Sequence, residues 1–137
     1  MSDQTILLLG GAGLVGAQVA RQIARDIRPR KIILASLYQR EIRQVLPPLK
    51  KEFSQIEWIG VWGDVFLRAD LTETPRAALL ASPERRADLF DDLLGDLEAT
   101  YARSRLVQLI LEHKPNVIVD SINTATAIIC MTCYTIF

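Results

Sequence analysis

Apolar positions fall along the chain in two alternating rhythms. Thr5 to Leu9 is a near-continuous apolar run closed by glycine, which predicts a strand buried on both faces. From Leu14 to Ile27 the apolar residues Leu14, Val15, Val19, Ala20, Ile23, Ala24 and Ile27 recur at helical spacing, with Arg21, Arg25 and Asp26 on the other face. Pro29 stops that helix, and Lys31 to Ala35 reads as a second strand. Arg40 to Leu46 begins a second helix that Pro47-Pro48 is expected to break or kink, with a resumption at Lys50 to Phe53. Ile56 to Trp62 reads as a third strand, closed by Gly63-Asp64. A helix through Leu106, Leu109, Ile110 and Leu111 ends at Lys114-Pro115, and Asn116 to Asp120 is a fourth strand. Strand and helix alternating at this pace imply crossover units, hence an α/β fold with a parallel sheet of at least four strands and helices on both faces.

The segment 68–105 breaks the rhythm. It is charged, rich in leucine, and longer than a simple crossover. Ser82-Pro83-Glu84-Arg85 predicts a helix start, with a capping serine and proline at the first position. Leu89, Phe90, Leu93 and Leu94 form an apolar stripe, and Gly95-Asp96 ends that helix and caps the next. The expectation is a helical insert that packs or self-associates rather than a substrate lid.

Half of the 137 residues are apolar and 23% are charged, with sixteen basic residues against sixteen acidic ones. This length fits one domain. The charge balance offers no field for nucleic acid or an anionic membrane. The polar start and short first apolar run do not resemble a signal peptide, and no run is long enough to span a membrane. A cytoplasmic protein is expected. Cys130 and Cys133 lie in an apolar run rather than after a strand, and read as reduced thiols, not a redox pair. His113 reads as a helix C-terminal residue without metal-ligand partners, so no metal is expected.

Gly10, Gly13 and Gly16 read as G-x-x-G-x-x-G, and Gly11, Gly13 and Gly16 read as G-x-G-x-x-G. They lie directly after a buried strand and open an amphipathic helix, where a dinucleotide pyrophosphate needs a sharp turn, a bare backbone and close helix packing. Gly10, Gly13, Leu14, Val15 and Gly16 are therefore candidate phosphate-binding residues, through the free amides of the helix start. No Gly-Lys-Ser/Thr follows, which argues against a triphosphate loop. At the end of strand two, where a carboxylate would select NAD, the chain has Ser36, with Glu41 the first carboxylate after it. Arg40 and Arg43 stand near enough to meet a 2′-phosphate, which points to NADP over NAD.

Leu9-Gly-Gly-Ala-Gly-Leu-Val-Gly16 resembles the nucleotide-binding start of the extended short-chain dehydrogenase/reductase family, the NAD(P)-dependent epimerase/dehydratase group. Gly63-Asp64-Val65 is similar to that family's Gly-Asp-Val/Leu element. The resemblance implies that the Asp64 side chain and the Val65 amide hold the adenine. Pro115 to Ile122 resembles the family's stretch at strand four, whose end lines the cofactor, which adds Ser121 and Asn123. Asp120 stands where that pattern has histidine, and Ser121 to Asn123 replace small apolar residues. The resemblance covers residues 5–65 and 106–126 and implies a Rossmann-type three-layer sandwich, here incomplete.

The family's reductive chemistry uses a tyrosine with lysine four residues later, the tyrosine as acid/base. Tyr38 and Tyr101 are followed at that spacing by Ile42 and Arg105, and Tyr134 is three residues from the last residue. Tyr101 to Arg105 reads as a helix-surface pattern, and Asp91, Asp92, Asp96 and Glu98 as a solvated helix face. No catalytic residue is assigned. The expectation is the dinucleotide-binding part of an oxidoreductase or sugar-nucleotide epimerase/dehydratase, inactive alone and acting on a small molecule in a longer parent. The other reading is a non-catalytic NADP-binding redox-sensing or interaction module. Exposed apolar surface near residues 117–137 is expected to drive self-association.

Overall fold

The computed structural model describes residues 2–122. Four strands, β1 (Ser2–Leu9), β2 (Pro29–Ser36), β3 (Glu57–Trp62) and β4 (Val117–Asp120), form one sheet in the order β3-β2-β1-β4. Every pairing is parallel, with Leu8 opposite Leu34 on one side and opposite Val119 on the other. The connections are α1 (Leu14–Asp26), α2 (Gln39–Glu52) and a longer path that ends in α6 (Arg105–His113). This is the α/β, Rossmann-like order, in which the chain leaves β1 in one direction and returns to its other side for β4.

Period-two alternation of the strands sorts the core into two layers. Leu8, Ile32, Leu34 and Trp58 pack with Ala20, Ala24, Ile42 and Leu49, so α1 and α2 cover one face. Leu7, Leu9, Ile33 and Ala35 pack with Leu109 and the half-buried Leu106 and Ile110, so α6 covers the other. Three layers result. At the foot of the sheet the Thr5 N–H donates to the Asn116 side-chain oxygen at 2.8 Å, which fixes where β4 starts.

The prolines of α2 do not act as their positions in the sequence suggest. Pro47 and Pro48 lie inside a continuous helix from Gln39 to Glu52. Each removes an amide donor, at a cost of about 3 kcal/mol in a helix interior. Both are exposed, so water can reach the carbonyls they leave free. Buried Ile42 and Leu49 pin the helix to the sheet on either side of them. Packing therefore outweighs the local break.

After β3 the chain makes a 3-10 turn (Ala69–Leu71) and three helices, α3 (Arg76–Ala81), α4 (Pro83–Leu94) and α5 (Leu97–Arg103). The Ser82 hydroxyl accepts from the Arg85 N–H at 3.3 Å, and Asp96 accepts from the Ala99 N–H at 2.8 Å. Leu71 and Leu79 are buried, yet α4 and α5 bury no residue at all. Phe90, Leu93 and Leu94 are exposed and Leu89 is only half-buried, so the stripe of α4 does not pack inward. Among the described residues no helix is long and apolar enough to cross a membrane.

Candidate functional site

The site lies at the top of β1, where the chain's two directions of winding part. Gly10 has φ +73, a conformation that carries a side chain only with strain. A Cβ there would also meet the Ser121 carbonyl oxygen at 3.0 Å, because the end of β4 passes against the turn. Ser121 holds that approach: its N–H and its hydroxyl donate to the Leu9 carbonyl at 2.9 and 2.8 Å. Gly16 sits in the first turn of α1, and a Cβ on it would overlap the Gly10 carbonyl. The Gly11 N–H donates to Ala35 O at 3.0 Å, tying the turn to β2.

Gly13 differs from the other glycines of the turn. Its φ is −71 and ψ is 172, which any residue adopts. A Cβ there would meet only Gly10 O, at 3.4 Å, an ordinary contact. Nothing in the described chain requires glycine at this position. It is the N-cap of α1, yet it offers no side-chain cap, and the first turn contains no acidic residue. Among the described residues the Leu14, Val15 and Gly16 amides have no hydrogen-bond partner. Leu14 is 93% exposed. The end of the helix thus presents three aligned donors and the positive pole of its dipole to solvent, an arrangement suited to an anion.

The tops of β2 and β3 supply the flank. Ser36 is buried, and its hydroxyl donates to the Glu41 carboxylate in the first turn of α2. A carboxylate thus stands at the end of β2 although none follows directly in sequence. Arg40 is exposed, with its guanidinium carbon 4.7 Å from the centroid of the Tyr38 ring. Arg43 is exposed on the same helix. At the end of β3, Asp64 accepts from the Phe66 N–H at 3.1 Å and from Arg76 at 2.9 Å, so both carboxylate oxygens have partners inside the chain. The Val65 side chain is buried in the α6-side layer. Asp120 accepts from the Ile122 N–H at 2.9 Å. The sequence-predicted residues Gly10, Gly13, Leu14, Val15, Gly16 and Ser121 are brought together. Ser36, Arg40, Asp64 and Val65 follow the neighbouring strands, and Asn123 lies outside the described residues.

Two partners escaped the sequence reading. Glu41 meets Ser36 across a five-residue turn, a spacing that a strand-then-helix junction makes short. Arg76 comes from the insert, and no local pattern connects it to Asp64.

The acidic residues of the insert are not simply a solvated face. Arg68 donates to both carboxylate oxygens of Asp92, at 2.8 and 2.9 Å, and to the Asp88 carbonyl at 3.0 Å. Arg103 donates to Asp92 and to Asp91, at 2.5 Å each. The Arg68 and Asp92 side chains are only 14% and 15% exposed. Burial pushes the Asp92 carboxyl upward, but the hydrogen bonds and charges of Arg68 and Arg103 outweigh it and hold it below the usual carboxylate range. The Asp92 hydrogen bond raises Arg68 above the usual guanidinium value despite burial. Arg103 ends α5 and Arg105 begins α6, so Tyr101 and Arg105 do not share a helix. These carboxylates are fasteners rather than paired acid/base groups. Among the described residues no group of three or more metal-ligating side chains comes together.

No family model matches the chain, and no curated protein matches it. Among solved structures it is similar to the X-ray structure of Pen from Bacillus thuringiensis, at 12% sequence identity and a TM-score of 0.45. That similarity covers 87% of this chain and 38% of that one, so the chain spans well under half the length of that structure.

Proposed function

We propose that this chain binds a dinucleotide, with the pyrophosphate over Gly10 to Gly16 at the start of α1. Gly13 carries the reading. Gly10 and Gly16 are demanded by the fold itself, whereas a side chain at Gly13 is sterically harmless within the described chain. The bare backbone there suits the close approach of something outside the chain, and the three amides beside it, without a partner among the described residues, suit a phosphate. The resemblance to extended short-chain dehydrogenases/reductases supports the same ligand, with Asp64 and the Val65 amide toward the adenine and Ser121 and Asn123 along the cofactor.

The dinucleotide proposed first is NADP, with exposed Arg40 and Arg43 meeting the 2′-phosphate. The Ser36–Glu41 contact favours a second reading, NAD, because it places a carboxylate where ribose hydroxyls would be gripped. Titration with NADPH and NADH separately decides between them. Under the NADP reading Arg40→Ala weakens NADPH and leaves NADH unchanged; tighter NADH binding by the native chain overturns it.

The parent activity proposed is that of a cytoplasmic oxidoreductase or sugar-nucleotide epimerase/dehydratase acting on a small molecule. On this reading the chain alone binds the dinucleotide without turning it over. Tyr38 and Tyr101 have Ile42 and Arg105, not lysine, four residues later. Departures from the family pattern at Asp120 to Asn123 favour the alternative, a non-catalytic redox-sensing or interaction module. Self-association belongs to the same proposal, and the exposed apolar side of the insert and the exposed Val117 and Ile118 of β4 are its two candidate faces.

A further inference from the structure

An ordinary surface helix turns its apolar side inward and its charged side to water. The helix α4 does the reverse. Asp88 and Asp92, one turn apart, face Arg68 and fasten the helix to the rest of the chain. On the opposite side Arg86, Phe90, Leu93 and Leu94 recur at helical spacing, and Leu97 follows just past the end. Phe90 is 65%, Leu93 68%, Leu94 72% and Leu97 79% exposed. These four side chains leave an apolar area on the order of 500 Å² open, within the range that marks an interaction surface.

The geometry points to a second copy of this chain as the occupant, docked antiparallel along α4 about a two-fold axis near Phe90. Three features favour it. The stripe is basic at one end, where Arg86 is exposed and anchored by a 2.6 Å bond to the Leu80 carbonyl. It is acidic beyond the other, where Asp96 and Glu98 are exposed. An antiparallel pair sets each basic end toward the partner's acidic end, whereas a parallel pair sets like against like. The net charge of the chain is zero, so two copies do not repel one another at long range. Two such stripes together cover roughly 1,000 Å², the lower bound for a specific contact, which makes the dimer a reversible one.

Sedimentation velocity over a concentration series tests this. The native chain should show a reversible monomer–dimer equilibrium. Phe90→Asp should weaken it at least about thirtyfold, since the ring sits at the centre and is lost twice. Ile118→Asp, on β4, should leave it intact. Arg86→Glu and Glu98→Lys should each weaken it several-fold, and mixing the two in equal amounts should restore dimers, because each reversed charge then meets its complement. A native chain that stays monomeric overturns the proposal, as does an open-ended assembly or a dimer lost on Ile118→Asp alone. Should Phe90→Asp fail to fold, the mixing experiment decides by itself, and no recovery on mixing overturns the proposal.

Discussion

In β1 and β2 the large apolar side chains turn inward: Ile6, Leu7, Leu8, Ile32, Ile33 and Leu34 are all but sealed from water. Between Pro83 and Arg103 no residue is buried, and Leu93, Leu94 and Leu97 face solvent while Asp88 and Asp92 face the protein. The first region is held by burial of apolar area, about 25 cal/mol per Å² removed from water. The second is held largely by the Arg68–Asp92–Arg103 network and by the two anchors Leu71 and Leu79. One chain thus joins a segment whose position is fixed by its core to a segment whose position is fixed by charge. The two should respond to different insults.

The largest effect is expected at the junction of β1 and α1. Gly16→Val forces a branched side chain into the Gly10 carbonyl and should cost more than about 3 kcal/mol, leaving the chain unfolded by circular dichroism. A folded variant would mean that the strand-to-helix turn is looser than its contacts require. Next, Leu34→Ala should cost about 2–5 kcal/mol, since it opens a cavity in a fully buried layer, and urea unfolding measures it. That loss should be shared by the whole sheet.

Asp92→Ala should cost about 2 kcal/mol, between an exposed and a buried ion pair, and the loss should be local. Hydrogen exchange should quicken across residues 69–104 while the amides of β1 and β2 keep their protection. Equal quickening in both regions would erase the comparison. Acid should act in the same place. The Asp92 carboxyl is depressed in the folded chain, so its contribution is fully present above the unfolded value of 3.8 and is lost as pH falls through its lower folded value. The insert should therefore hold down to about pH 4 and detach below it, before the sheet unfolds. Detachment near neutrality would contradict the role given to Asp92.

The sheet was legible because its signals are local. Apolar runs gave β1 to β4, helical spacing gave α1 and α6, and the alternation gave parallel pairing. Ser82 and Asp96 were readable as caps because a cap needs only the next three residues. Pro47 and Pro48 misled because the packing of Ile42 and Leu49 that overrides them is tertiary. The orientation of α4 was illegible for the same reason: its partner Arg68 lies outside the helix, and only the fold brings it to Asp88 and Asp92. At the candidate site, the glycines announced a sharp turn. Which of them the fold itself requires emerged only when β4 came to rest on Gly10 and α1 on the Gly10 carbonyl.

That distinction allows the most direct test, Gly13→Asp. The position has N-cap geometry with no capping side chain, so an aspartate there should accept from the first-turn amides and raise stability by about 0.3 kcal/mol. The same carboxylate would take the amides assigned to the pyrophosphate and repel it. Calorimetric titration with NADPH and NADH, alongside thermal unfolding, reads both effects. The Gly13→Asp chain should melt higher and no longer bind the dinucleotide that the native chain takes up. A native chain that binds neither dinucleotide, or a Gly13→Asp chain that binds as tightly as the native one, would contradict it.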